Sequence, residues 1–269
     1  MKNILVLGSR GMLGYGVRSY FVKHDYNVTG LTREEFDAAN DSVMKIENQI
    51  TNSDIVINCI GIIKPMIEKN SAIDVLKVNS IFPRNLAILC KKANVKLIHV
   101  TTDCVFSGKT GYYNEKDFFD ADDLYGISKN GGDNCDCMSL RTSFVGPELG
   151  RSRSLLEWAF SQKGKNVNGF TNHKWNGVSS IYFAEIIEKI VNLSLYKDGV
   201  FHIFSPNTVT KYELLKIFNE VFGLGMTITA VEAPVVINRD LSSIYDIASM
   251  VSTKTVETQM LELKTFFNI

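Results

Sequence analysis

The sequence predicts an α/β fold, a doubly wound parallel sheet with a smaller C-terminal α/β substrate lobe. Three observations carry this expectation. The first half alternates short, continuously apolar runs with amphipathic helical stretches, the pattern of parallel strands covered on both faces. A glycine-rich segment follows directly on the first apolar run and opens the first helix. Beyond Gly146 the texture changes to longer polar stretches between amphipathic helices, as an attached lobe requires.

Asn3 to Leu7 reads as the first strand. Its apolar run, Ile4 to Leu7, ends in glycines without a small-residue cleavage site, so it is a buried strand and not a secretion signal. Leu13 to Lys23 has helical spacing, and Asn27 to Leu31 and Ile55 to Cys59 read as strands. Ser71 to Ala93 is helical with a break near Pro83, because proline removes a backbone donor. Lys96 to Thr101 is again strand. Tyr125 opens a helix that Gly131-Gly132 cut short, and Ser139 to Val145 is the next strand. Leu155 to Ser161 is helix, and Lys163 to Gly177 is a polar loop rich in Gly, Asn and Lys. Phe183 to Leu195 is strongly amphipathic, Val200 to Phe204 strand, and Lys211 to Phe222 and Val256 to Phe267 helix. The expected division places the sheet domain at 1–145, with 178–204 returning to it, and the substrate lobe at 146–177 and 205–269.

At 269 residues, the chain has room for one large α/β domain with an added lobe. Lysine plus arginine and aspartate plus glutamate both total 29, so no net field argues for nucleic acid or an anionic membrane surface. The apolar runs fall far short of the ~20 residues of a membrane helix. The five cysteines are scattered and include no C-x-x-C. No metal constellation is expected, and reduced thiols in the cytoplasm are.

Gly8-Ser9-Arg10-Gly11-Met12-Leu13-Gly14 has G-x-x-G-x-x-G spacing between strand and helix. The first glycine permits a tight turn, the second lets backbone approach a pyrophosphate, and the third allows close helix–strand packing; the helix N-terminus supplies amides. The domain is therefore expected to be Rossmann-type and to bind a dinucleotide. An acid at the end of the second strand selects NAD, and an arginine there accommodates the 2′-phosphate of NADP. Here that strand ends Leu31-Thr32-Arg33. Arg10 and Arg33 together suit a 2′-phosphate, with Asp37 near adenine; NADPH is favoured and NADH stays open. On the bland alternative, Arg33 is a surface charge beside Glu34 and Glu35.

Tyr125 and Lys129 stand four residues apart, on one helical face. A free tyrosine, with a pKa of about 10, is a poor proton donor at neutral pH. A neighbouring ammonium lowers that value, which suits proton transfer as a carbonyl becomes an alcohol. Functional groups of an open α/β sheet gather beyond the carboxyl ends of strands. Thr101 and Thr102 lie at such an end, as do Cys59, Ile60 and Gly61, where small residues leave room for a cofactor. Asn79, on the following helix, is placed to bond backbone or water near the Tyr–Lys pair.

In order, the glycine loop, Thr102-Asp103-Cys104-Val105-Phe106, Tyr125-Gly126-Ile127-Ser128-Lys129 and Leu140-Arg141-Thr142-Ser143 resemble the extended short-chain dehydrogenase/reductases. Within them the chain is most similar to the dTDP-4-dehydrorhamnose reductase-like sugar-nucleotide reductases, over nearly its whole length. The resemblance implies a catalytic Thr102, Tyr125 and Lys129, with Tyr125 protonating the sugar oxygen as hydride reaches the keto carbon. Lys129 would hold the nicotinamide ribose and depress the tyrosine pKa. It also implies substrate contacts from Asp103, Cys104, Val105, Arg141, Thr142, Trp175, Asn176 and Arg239, and a homodimer. In the loop expected to face the substrate, Trp175 and Phe170 are candidates to stack on a nucleobase. Arg141, Arg151, Arg153 and Lys174 are candidates to hold the diphosphate.

Two departures stand out. The relatives usually carry Tyr where this chain has Cys104, and the helix after Lys129 is shortened. A cysteine at this place is similar to the acid/base of the GDP-fucose synthases, where a histidine partners it; His173 is the candidate here. Alternatively Cys104 is a small packing residue. His24, His99 and His202 read as structural. The resulting expectation is an NADPH-dependent 4-ketoreductase of a nucleotide-activated 6-deoxy sugar, serving surface polysaccharide synthesis. A sugar-nucleotide epimerase or epimerase/reductase using Cys104 is the alternative, and a non-catalytic NADP-binding regulator is a third.

Overall fold

The computed structural model describes residues 2–133, 136–150 and 154–269. From the N-terminus, β1 (Asn3–Leu7) leads through α1 (Met12–Lys23) to β2 (Asn27–Leu31), and α2 (Glu47–Thr51) precedes β3 (Ile55–Asn58). Next come α3 (Ala72–Leu76), a π-helical turn (Lys77–Ile81), α4 (Phe82–Lys92) and β4 (Lys96–Thr102). The break expected near Pro83 is this π turn, which ends where proline, lacking an N–H, enters the first turn of α4. α5 (Leu124–Gly132) and β5 (Met138–Thr142) complete the first half.

The second half runs β6 (Phe144–Val145), α6 (Leu155–Ser161), β7 (Asn166–Phe170), β8 (His173–Trp175) and β9 (Val178–Ser179). It continues through α7 (Ser180–Asn192), β10 (Gly199–His202), β11 (Val209–Thr210), α8 (Lys211–Phe222), β12 (Thr227–Val231), β13 (Ile237–Asn238), α9 (Ile247–Val251) and α10 (Val256–Phe267). The stretch expected to be a polar loop, Lys163 to Gly177, therefore contains two strands. β7 pairs in parallel with β12, some sixty residues away, and β8 lies between β11 and β13. The strand expected from Ser139 to Val145 divides in two: β5 stays in the large sheet, and β6 turns away to pair with β9.

The large sheet has the order β10-β5-β4-β3-β1-β2 and is parallel throughout. Its apolar side chains alternate between two cores. Ile4, Val6, Ile57, Ile98 and Leu140 face α1 and α7, whereas Leu5, Leu7, Val56 and Leu97 face α4. The first core continues without a break into Trp175, Leu214, Phe218 and Met260 of the second half. The strand order reverses between β1 and β3, and the crevice beyond the carboxyl ends there is where such sheets bind ligands. Among the described residues, no helix is long and apolar enough to cross a membrane.

Candidate active site

The glycine segment forms the turn at the end of β1. Gly8 has φ +75°, the left-handed region that favours glycine, and its N–H and that of Ser9 donate to Leu31 O at 2.9 and 3.0 Å. Gly11 N–H donates back to Gly8 O at 3.0 Å and Gly11 caps α1 without a side-chain bond. A Cβ at Gly14 would sit 2.2 Å from Gly8 O, so only glycine lets α1 pack this closely on the turn. Leu13 is buried beneath, beside Met12 at the head of the helix. This is the strand–turn–helix arrangement a pyrophosphate site requires, with glycine backbone packed closely at the head of α1.

Beyond β2 both expected arginines are exposed and paired. Arg10 meets Glu34, and Arg33 meets Asp37, each at 3.3 Å. Such exposed pairs are weak and leave the guanidinium groups free to exchange partners. Across the crevice, Ile60 N–H donates to Asn58 Oδ1 and Cys59 N–H to Leu7 O. A Cβ at Gly61 would lie in ordinary contact with Asn79 Oδ1 at 3.5 Å and Lys129 Nζ at 3.8 Å, which places Gly61 beside the lysine. Asn79, on the π turn, is fully buried; it bonds Ile62 N and O and donates to Ser128 Oγ.

β4 and α5 bring Thr102, Tyr125 and Lys129 together. Thr102 Oγ1 donates to Asp103 Oδ1 and accepts Cys104 N–H, both at 3.2 Å, and the Tyr125 hydroxyl stands near it. Asp123 caps α5 by accepting Gly126 N–H at 2.8 Å and pairs with Lys64 at 2.6 Å. Gly126 matters next: a Cβ there would stand 2.5 Å from Cys104 O, so glycine lets α5 approach the β4 loop. Lys129 is buried and its Nζ donates to Val100 O at 2.9 Å. Thr101, beside it, is buried with Oγ1 lacking a hydrogen-bond partner among the described residues.

The electrostatics correct one expectation. The Tyr125 pKa is raised, not lowered; burial is the main cause, and the neighbouring Cys104, Asp103 and Asp123 add to it against the Thr102 bond. Burial, then Asp103, pushes the Cys104 thiol up to about 12, which holds it protonated. His173, its candidate partner, instead bonds Val235 O at 2.9 Å and packs against Phe170.

Several expected substrate contacts are corrected as well. Arg141 is completely buried, ion-paired with buried Asp133, bonded to His202 and stacked near Phe106 and Phe119; it has no surface to offer a diphosphate. Trp175 is buried with Nε1 bonded to Ser143 Oγ, and Asn176 bonds both N and O of Leu241. Both pin loops to the core. Val105 belongs to a small core with Phe106, Tyr113 and Leu241, and buried Thr142 donates to Ser143 O. Arg239 is committed in part: Nε and Nη2 donate to Phe106 O and Ser107 O, while its charge bears on Asp103 and Cys104. Arg151 and Arg153 lie outside the described residues.

The buried network carries a pH signature. His202 Nδ1 faces two carbonyls, Tyr113 O at 3.0 Å and Ser242 O at 2.9 Å, so Nδ1 carries the proton and Nε2 accepts from Arg141. Burial, then the Arg141 charge, lowers its pKa to about 4. An unfolded histidine protonates near pH 6.5, so the unfolded chain gains a proton first and stability falls as pH drops from about 6.5 to about 4. The loss is confined to that window and is absent above it. Urea unfolding of His202→Gln between pH 4 and 7 is expected to give a shallower slope than wild type; parallel slopes would refute the assignment.

Two cations stand where no local pattern pointed. Lys211 opens α8 and lies 5.5 Å from the Trp175 ring centroid, facing Asp103 and Cys104. Arg18 of α1 packs across Gly30, whose Cβ would meet Arg18 Cδ at 2.8 Å. Only the packing of the helices brings either to the crevice.

This parallel sheet, with a glycine turn against its first helix and a Tyr–Lys pair on α5 beside Thr102, defines a dinucleotide-binding α/β protein of the short-chain dehydrogenase/reductase class. The chain belongs to the family described as RmlD substrate binding domain, matched over residues 1–264. It is 24% identical over 258 residues to the spore coat polysaccharide biosynthesis protein SpsK of Bacillus subtilis, covering 93% of this chain and 89% of that one. It is 26% identical over 279 residues to the probable low-salt glycan biosynthesis reductase Agl14 of Haloferax volcanii, covering 95% and 91%. The fold is that of a Bacillus anthracis dTDP-4-dehydrorhamnose reductase solved with NADP, at TM-score 0.79, 17% identity and 99% coverage of both chains.

Proposed function

We propose that this protein is an NADPH-dependent reductase of the 4-keto group of a nucleotide-activated 6-deoxy sugar, acting in surface polysaccharide biosynthesis. The observation that carries the reading is the meeting of Thr102, Tyr125 and Lys129 beside the crevice that the glycine turn opens. The names of SpsK and Agl14 support the pathway class, and the NADP-bound relative supports the cofactor. Four described cysteines are free thiols, in keeping with work in the cytoplasm.

The glycine turn would hold the pyrophosphate, Arg10 and Arg33 the 2′-phosphate, and Lys129, beside Gly61, the nicotinamide ribose. When bound, the reduced dinucleotide supplies a hydride. Thr102 and Tyr125 orient the carbonyl oxygen, and Tyr125 gives it a proton as the hydride arrives. The raised phenol pKa fits this direction, because the tyrosine stands loaded with its proton. An alkoxide approaches hydroxide in basicity, and water has a pKa of about 15.7, so transfer from the phenol still runs downhill.

The test is incubation with NADPH and a panel of 4-keto-6-deoxy sugar nucleotides, followed by absorbance at the reduced nicotinamide band and by product mass. Stoichiometric loss of NADPH is expected; solvent deuterium at sugar C3 or C5 without NADPH loss would favour epimerisation instead. Arg33→Ala is expected to weaken NADPH binding ~10-fold or more and NADH little, since one charge-assisted phosphate contact is lost. Equal losses in fluorescence titrations would remove Arg33 from the phosphate site.

A further inference from the structure

We infer that Lys211, on the lobe side of the crevice, holds the sugar-side phosphate of the nucleotide-sugar substrate; this rests on the sugar-nucleotide reading above. Three observations converge on it. First, Lys211 makes no hydrogen bond or ion pair among the described residues and touches instead the face of Trp175, 5.5 Å from the ring centroid. Lys211 is half-buried, and burial lowers its pKa, with Asp103 acting in the opposite direction. A bound anion would favour its charged form.

Second, the charges beside the reacting centre do not balance. Lys211 and Arg239 both bear on Asp103 and Cys104. Asp103 is one carboxyl, itself pushed toward its neutral form by burial, and Cys104 is held as a neutral thiol. Asp123, the other acid that feels Arg239, is already paired with Lys64. Positive charge is left over. Third, the position suits the substrate. A keto oxygen held by Thr102 and Tyr125 would leave the anomeric phosphate across the pyranose ring from the reacting carbon, and the Lys211 charge reaches Asp103 and Cys104 beside that centre. Arg141 cannot serve there, being enclosed with Asp133.

Isothermal titration of the full chain with dTDP, UDP and GDP, and with the matching nucleosides, tests the contact without any turnover. At least one diphosphate is expected to bind the wild type. Lys211→Met should weaken it ~10-fold or more, by loss of a charged contact, and leave the nucleoside and NADPH unchanged. Lys211→Arg should recover most of the affinity, and melting curves should show both variants folded. The inference is overturned if Lys211→Met binds the diphosphate like wild type, if nucleoside and diphosphate weaken together, or if no diphosphate binds the wild type. Should Lys211→Met fail to fold, Lys211→Gln takes its place with the same expected loss. A Lys211-dependent diphosphate site in a protein that reduces no 4-keto sugar would sink the reductase reading alone. Full turnover with diphosphate binding unaltered in Lys211→Met would sink the Lys211 contact alone.

Discussion

Tyr125→Phe is expected to lower kcat by about two to four orders of magnitude, the usual span for removing a positioned proton donor. The ring would still fill its place beside Cys104 and Thr102, and Lys129 would keep its bond to Val100 O. NADPH affinity, measured by fluorescence titration, should therefore change less than about twofold, well inside the tenfold that 1.4 kcal/mol represents. Loss of turnover together with cofactor binding would assign the hydroxyl to the cofactor, and wild-type turnover would end its role as donor. The raised pKa adds a qualitative expectation: in a pH–rate profile, any loss of rate from tyrosine ionisation should begin at higher pH than a free tyrosine would give.

Breaking the Arg141–Asp133 pair should have the largest effect on stability. Both side chains are fully buried, and Arg141 also supports His202 and lies near two phenylalanine rings. Removing one partner strands the other charge, which typically costs about 3–5 kcal/mol. For a chain of this size, Asp133→Ala or Arg141→Met should then melt roughly 10 °C below wild type. Calorimetry of the two single variants checks this, and the double variant with Leu at 133 and Met at 141 should recover part of the loss. An Arg141→Met protein that melts like wild type yet loses substrate affinity would return Arg141 to the substrate site.

The sheet was legible because its signal is local. Ile4 to Leu7 and Ile55 to Asn58 are continuous apolar runs, and a parallel strand covered on both faces needs little else. The glycine turn was legible for the same reason, since Gly8, Gly11 and Gly14 stand at the spacing the turn imposes. β7 was missed because Asn166, Asn168 and Gly169 disfavour strand, and the pairing that overrides them comes from β12. Arg141 resembled a substrate cation because neither Asp133 nor His202 is its neighbour in sequence. The sign of the Tyr125 shift was equally hidden: Lys129 is one turn away in sequence, but burial and Cys104 act through the tertiary fold. Lys211 carries no local mark beyond opening a helix, and its meeting with Trp175 exists only in the folded chain.

The central claim is that a hydride reaches a sugar carbonyl while Tyr125 supplies the proton. It is tested most directly with NADPH deuterated at its transferable position, offered in ordinary water with dTDP-, UDP-, GDP- and CDP-linked 4-keto-6-deoxy hexoses. At least one sugar product is expected to carry a single deuterium at C4, formed mole for mole with oxidised cofactor, and Tyr125→Phe is expected to form almost none. Deuterium in no product, with every sugar nucleotide returned unreduced, would contradict it.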